Sequence, residues 1–233
     1  MSTAVPASRA DDGELAELLS RGAQELAVPL AAPEVRRLID YVRLIERWNT
    51  TYNLTAIRDP RNMVVQHILD CLAAAAALGR RRGEGRGERL ADVGSGAGLP
   101  GVVIAIAFPD REVTCIDSVG KKAAFITQAA GALGLKNVKA VHTRVESMAT
   151  RFDVIASRAF ASLHEFVAAT GHLLNDSGTW LAMKGKTPDE ELNGLGEGFT
   201  FHVEPLVVPE LAAERCLIWI EPHKKQAHAH EKT

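Results

Sequence analysis

Residues 90–101, Leu-Ala-Asp-Val-Gly-Ser-Gly-Ala-Gly-Leu-Pro-Gly, carry the stretch on which the fold turns. A short apolar run, RLADVG (89–94), enters it, and a longer one, LPGVVIAIAF (99–108), leaves it. A strand followed by a glycine turn and a helix is the place where backbone N–H groups at a helix start can meet a ligand. Gly94, Gly96 and Gly98 let the chain turn tightly and come close to it. A purely structural turn is the alternative.

The same alternation continues downstream. EVTCID (112–117) precedes KKAAFITQAAGALG (121–134), NVKAVHT (137–143) follows, FDVIAS (152–157) precedes LHEFVAATGHLL (163–174), and GTWLAMKG (178–185) precedes PDEELNGLG (188–196). Strands alternating with helices imply βαβ units and a parallel sheet covered on both faces. Two further strands, around 199–208 and 214–221, have no helix between them and can pair as an antiparallel hairpin at a sheet edge.

Upstream the reading is helical. Val35, Leu38, Ile39, Val42, Ile45 and Trp48 form a stripe over 33–48, with Pro33 at its start. Asp59-Pro60 opens a second helix carrying Val64, Ile68, Cys71, Leu72 and Ala75, expected to stop at Gly79. GRRRGEGRGE (79–88) reads as an exposed linker. The expected organisation is a helical extension and linker over 1–88, a Rossmann-like α/β domain over 89–222 and a polar tail over 223–233.

Composition is that of a globular protein: 233 residues, 46% hydrophobic, 24% charged, net charge -2. That charge offers no overall basic excess for nucleic acid, although one basic face would suffice. Cys71, Cys115 and Cys216 are scattered, which argues against a disulfide framework or a zinc site. No signal peptide is visible, and the most apolar stretches fall short of the ~20 residues a bilayer needs. A cytoplasmic protein with no membrane association and no obligatory protein partner is expected.

The ligand follows from the register of the turn. A dinucleotide site expects G-x-G-x-x-G; here the glycines run G-x-G-x-G, and Asp92 lies two residues before the first. An acid there is awkward beside a pyrophosphate but useful near an ammonium. Asp117, at the end of the next strand, can accept hydrogen bonds from a ribose. S-adenosylmethionine fits better than NAD.

The acid followed by G-x-G-x-G resembles the first motif of class I S-adenosylmethionine-dependent methyltransferases, whose sheet is mostly parallel with a C-terminal antiparallel hairpin. More specifically, ERWNTTYNLTAIRDP (46–60), QHILDCL (66–72), DVGSGAGLPG (92–101), IDSVGKKAAF (116–125), SRAFASL (157–163) and MKGK (183–186) are similar to the GidB/RsmG family of bacterial 16S ribosomal RNA guanine-N7 methyltransferases. The resemblance implies a cofactor site of Asp92, Gly94, Gly96, Gly98, Leu99, Asp117, Val145, Glu146 and Arg158. Gly94 and Leu99 would line the methionine part, Asp117 would hold the ribose, and Val145-Glu146 would lie beside the adenine. Glu146 also reads as a solvated acid in the first turn of a helix. The implied acceptor is N7 of a guanine in 16S ribosomal RNA of the small subunit, and the product is S-adenosylhomocysteine.

Ser157-Arg158-Ala159-Phe160 stands where amino-group methyltransferases carry an Asn-Pro-Pro-Tyr-type motif. Purine N7 has a lone pair and no proton to lose, so no catalytic base is expected, only placement and exclusion of water. Arg158 would then grip the cofactor carboxylate or an RNA phosphate, or form a structural ion pair. Candidate RNA contacts are Arg58, Arg61, His67, Lys121, Lys122, Lys184 and Lys186, each also readable as a solvated charge. Arg80, Arg81 and Arg82 offer another basic patch, diluted by Glu84 and Glu88. Gly185-Lys186-Thr187 is not a P-loop, because Trp180 occupies the position of its first glycine. His223, His228 and His230 do not make a rigid metal site, and Trp48 reads as core. A protein or small-molecule acceptor, a non-catalytic ribosome-assembly factor and an NAD enzyme are the competing readings.

Overall fold

The computed structural model describes residues 11–83, 85–158, 160 and 162–223. Helix α1 (Asp12–Glu25) starts where the Asp11 carboxylate accepts the Glu14 N–H at 2.8 Å. Helix α2 (Ala32–Tyr52) extends the expected stripe by a turn and ends on Asn53 in the left-handed region. Helix α3 runs over Pro60–Arg82. Proline fills its first position, and the Asp59 carboxylate accepts the Asn62 N–H.

Two features of α3 depart from expectation. It continues past Gly79 to Arg82, ending on Gly83. The arginines of this last turn are paired, Arg80 with Glu204 at 2.7 Å and Arg81 with Glu221 at 2.6 Å, while Arg82 pairs with Glu88. They hold the helix to its neighbours and are no free basic cluster. The segment after Gly83 is anchored too. The buried Arg111 guanidinium donates to the Gly83 carbonyl at 2.7 Å and pairs with Glu88, which fixes the expected linker onto the body of the protein.

The helix is also long and apolar enough to cross a membrane, which the expected stop at Gly79 concealed. However, 83% of its most apolar window is buried within the fold, as in a core helix. Its second turn, Val64–Leu69, is a π-helix. Such a segment carries an extra residue per turn and re-aims the side chains on it.

The sheet contains β1 (Arg89–Val93), β2 (Glu112–Asp117), β3 (Val138–His142), β4 (Phe152–Ser157), β5 (Leu174–Lys184), β6 (Phe199–Leu206) and β7 (Arg215–Pro222). Their order is β3-β2-β1-β4-β5-β7-β6. The first five are parallel, and β7 pairs antiparallel with both β5 and β6. The terminal hairpin thus lies at the edge as expected, with its second strand inside. Helices α4 (Gly101–Ala107), α5 (Gly120–Ala132), α6 (Leu163–Thr170) and α7 (Asp189–Asn193) fill the connections. The structure begins β5 at Leu174, so the expected helix over 163–174 is shorter than its apolar pattern suggests.

Alternation along the strands divides the core between the two faces. Leu90, Val154, Leu181 and Trp219 pack with α1–α5. Ala91, Ile155, Ala182 and Ile218 pack with α6 and the residues of α7. The N-terminal helices therefore share one continuous core with the sheet. Trp48 joins it, its ring 5.4 Å from Phe125 in an edge contact.

Candidate active site

The carboxyl ends of the parallel strands lie at one rim of the sheet, and the order reverses between β1 and β4. Ligands of open α/β sheets bind outside that switch point. Two cavities occupy this rim.

The first, of about 500 Å³, is lined by Gly94, Asp117, Val119, Lys122, Thr143, Val145, Glu146 and Phe160, among others. The start of the glycine turn, Val93-Gly94, is part of its lining. Gly94, Gly96 and Gly98 have φ of 71°, 60° and 84°, in the left-handed region where glycine is unstrained. A Cβ on Gly94 would meet no atom within 4 Å, so the backbone there is open to the cleft. Gly98 serves packing. A Cβ on it would come within 2.7 Å of Val102 and 3.0 Å of the Tyr41 hydroxyl. That hydroxyl, on α2, donates to the Ala97 carbonyl and holds the turn from below.

Asp117 joins the turn to the cleft. Its Oδ2 accepts the Gly96 N–H and its Oδ1 accepts the Val119 N–H, both at 2.8 Å. A carboxylate offers about four lone-pair sites, so acceptor capacity remains for a ligand hydroxyl. Lys122 stands 4.0 Å from it. Lys122, a candidate RNA contact in the sequence, lines this cleft. Val145 is a buried apolar wall and Glu146 is exposed beside it.

Asp92 and Leu99 do not line the cleft. Asp92 is fully buried beneath the turn, where Oδ2 accepts the Gly101 N–H at 2.8 Å and Oδ1 has no hydrogen-bond partner. Burial pushes its carboxyl up to about 7. Its evident role is to fix the start of α4, and Leu99 is packed into the core.

The second cavity, of about 370 Å³, lies at the ends of β4 and β5 and is lined by Gln66, His67, Asp70, Arg158, Lys184 and Arg215, among others. The π segment of α3 presents His67, and Asp70 follows it directly. Asp70 is buried between two guanidinium groups: Oδ1 accepts Nε of Arg215 at 3.0 Å, and Oδ2 lies 3.7 Å from Nη1 of Arg158. Burial raises the Asp70 carboxyl and the two arginines lower it, with burial the larger effect.

His67, a candidate RNA contact in the sequence, is 6% exposed, 2.8 Å from the Thr55 hydroxyl and 3.2 Å from Nη1 of Arg158. Burial first, and the charge of Arg158 second, hold its imidazole down at about 4, so it is neutral near pH 7. Lys184 is clamped to Glu191 at 2.9 Å. Arg61 pairs with Glu210 at 3.0 Å, whereas Arg58, Lys121 and Lys186 are solvent-facing. Lys186 lies 4.0 Å from Glu214. His228 and His230 lie outside the described residues; among those described, no group of three potential metal-ligating side chains occurs.

Asp70, Arg215 and Tyr41 were not anticipated. An acid within the apolar run ILDCLAAAA was the available signal for Asp70, because ionised side chains are seldom buried without partners. Arg215 and Tyr41 gave none.

The GidB family model, described as rRNA small subunit methyltransferase G, matches residues 34–218. The chain is 50% identical over 216 residues to the ribosomal RNA small subunit methyltransferase G of Acidovorax ebreus (strain TPSY), covering 89% of this chain and 96% of that one. It is 51% identical over 217 residues to the protein of the same description from Methylibium petroleiphilum, covering 92% and 97%. Among solved structures, TrmN from Thermus thermophilus superposes with a TM-score of 0.52 at 20% identity, over 64% of this chain and 48% of that one. The T. thermophilus 16S rRNA N2 G1207 methyltransferase RsmC, solved with AdoMet and guanosine, gives 0.51 at 20% identity, over 66% and 43%. At such identities these two structures establish the fold, that of class I methyltransferases.

Proposed function

This chain belongs to the GidB family, rRNA small subunit methyltransferase G, and from that premise we propose that it methylates N7 of a guanine in 16S ribosomal RNA. The donor in this reading is S-adenosylmethionine, released as S-adenosylhomocysteine. The observation that carries it is the clasp between Gly96 and Asp117 at the edge of a ligand-sized cleft. An open glycine backbone and an acid with spare acceptor capacity suit a nucleoside with vicinal hydroxyls.

S-adenosylmethionine, when bound, supplies an electrophilic methyl group on a sulfonium. The chain's own residues bind and orient. Asp117 would accept from the ribose, Val145 would give the adenine an apolar wall beside Glu146, and Gly94 would admit the methionine part. Asp92 would act from beneath by holding the turn. Guanine N7 has no proton to remove, so the work left is alignment and desolvation. Neutral His67, bonded within its own network, is suited to positioning Arg158 rather than to proton transfer.

In this reading the helices before residue 89 frame the acceptor side and the sheet frames the donor side. Arg58, Lys121 and Lys186 would meet RNA phosphates, and a substrate in the small subunit implies a cytoplasmic site of action. The test is the ribosomal RNA of a strain lacking this protein. Strand cleavage specific for N7-methylguanine should lose one 16S signal, restored by the wild-type chain and not by Asp117→Ala. An unchanged 16S pattern overturns the proposal.

A further inference from the structure

The second cavity includes a charge, Arg215, that lies beyond the reach of a methyl donor held at Asp117. Neighbouring strands stand about 4.8 Å apart, so from Asp117 on β2 the end of β4 is about 10 Å away and β7 about 19 Å. A methionine tail laid from a ribose at Asp117 toward β4 would end near Arg158, which lines the second cavity. Arg215, on β7, lies beyond it.

The groups facing this outer pocket are Arg158, Arg215, Lys184, Asp70 and the neutral His67. Lys184 is neutralised by Glu191, and Asp70 offsets one of the two arginines. One positive charge is left uncompensated. Asp70 takes Nε of Arg215 and the Glu214 carbonyl takes its Nη1, while Nη1 of Arg158 meets Asp70, His67 and the Gln66 carbonyl, which leaves Nη2 of each guanidinium without a partner among the described residues. Two guanidinium groups lining one cavity and spaced by one acid suit a singly charged oxyanion. The local structure is irregular at the same place: the π segment carries Gln66 and His67 and ends immediately before Asp70.

We propose that Arg158 and Arg215, spaced by the buried Asp70, seat a phosphodiester of the substrate RNA next to the acceptor guanine. Asp70 is the positioning residue of this pocket. The inference rests on the reading of the protein as a ribosomal RNA methyltransferase. It assigns the anchor that would hold the target nucleotide against the donor cleft.

Arg215→Ala tests the contact, although it also deprives Asp70 of a partner. Gly185→Asp provides a variant that folds independently of that ion pair. Gly185 lines the pocket, no atom lies within 4 Å of a Cβ built on it, and its backbone is not left-handed. The added carboxylate would repel a phosphate, and Gly185→Asn separates charge from bulk. The substrate is the small ribosomal subunit from cells lacking this protein, and the readouts are equilibrium binding across a salt series, methyl incorporation and S-adenosylmethionine affinity.

Arg215→Ala should weaken subunit binding about tenfold and flatten the dependence of log affinity on log salt by about one. Gly185→Asp should weaken binding similarly and Gly185→Asn much less, while affinity for S-adenosylmethionine stays at the wild-type value in all three. Unchanged subunit affinity and salt slope in both charged tests overturn the pocket. So does a loss confined to S-adenosylmethionine affinity, which would assign the guanidinium groups to the cofactor carboxylate. Wild-type protein that neither binds nor methylates the subunit overturns the underlying reading as well. Wild-type methylation with unaffected variants overturns the pocket alone.

Discussion

Gly96 and Asp117 are tied together by a 2.8 Å hydrogen bond from the glycine N–H to Oδ2, which joins the middle of the glycine turn to the end of the adjacent strand. The second oxygen is occupied by the Val119 N–H. One carboxylate therefore shapes two sides of the cleft. In Asp117→Asn, whichever way the amide is turned, a donor faces a donor. Leaving one such group unsatisfied costs about 1–3 kcal/mol, so S-adenosylmethionine affinity should fall roughly tenfold or more. Calorimetric titration checks this, and wild-type affinity would remove Asp117 from the donor site.

Tyr41 should report on the same turn from the opposite side. Tyr41→Phe deletes the donor to the Ala97 carbonyl and should cost about 1–3 kcal/mol of stability. The Michaelis constant for S-adenosylmethionine should rise while the turnover number changes little. Gly98→Ala should be worse, since a left-handed backbone alone costs about 1–2 kcal/mol for an L residue and the new methyl also meets Val102. Thermal melts and initial rates measure both; a Gly98→Ala protein as stable as wild type contradicts the packing described.

His67 gives stability a pH dependence. Its folded pKa of about 4 lies below the ordinary 6.5. Between these values the unfolded chain holds a proton that the folded chain refuses. The contribution of the neutral ring is complete above pH 6.5 and is lost as pH falls toward 4, with a slope of at most about 1.4 kcal/mol per pH unit. His67→Gln should therefore be most destabilised relative to wild type near pH 7 and should recover at pH 5. Urea unfolding at the two pH values decides, and an equal difference at both would refute the account.

Asp92 acts with the opposite sign. Its carboxyl is raised from 3.8 to about 7 by burial. The stability contributed by the protonated acid is complete below 3.8 and is lost as pH rises through 7. Asp92→Asn still accepts the Gly101 N–H and has nothing to titrate. Relative to wild type, that variant should gain stability between pH 4 and 8. A flat comparison would show that Asp92 keeps an ordinary carboxyl.

The buried Arg111 holds Glu88 and the Gly83 carbonyl. Arg111→Met removes a buried charge and leaves the nearly buried Glu88 to Arg82 alone, and breaking a buried pair costs up to about 3–5 kcal/mol. The melting temperature should drop sharply, and limited proteolysis should begin near residues 83–88. Resistance of that segment in the variant would mean that other contacts suffice to hold it.

How far the sequence could be read depended on whether the determining contacts were local. Strand and helix periods placed all seven strands, because each apolar repeat reports its own burial. The glycine turn and Asp117 were legible because one motif contains the turn and the next strand end supplies the acid. The burial of His67 and the place of Asp70 were not legible, because a π turn changes the facing of residues without leaving a compositional mark. The basic residues were the least legible. Arg80 and Arg81 meet Glu204 and Glu221 only after distant segments pack, and a charge shows its partner in the fold, not in the sequence.

The contact between Tyr41 and Ala97 spans 56 positions of chain. A ligand that favours the ordered turn must, by reciprocity of coupled equilibria, favour the docked state of α2 to the same degree. Amide hydrogens of the N-terminal helices would then exchange more slowly in the presence of S-adenosylmethionine, although α2 does not line the donor cleft. Occupancy of the donor site would thereby be communicated to the N-terminal helices, which in the proposed reading frame the acceptor, before any RNA arrives.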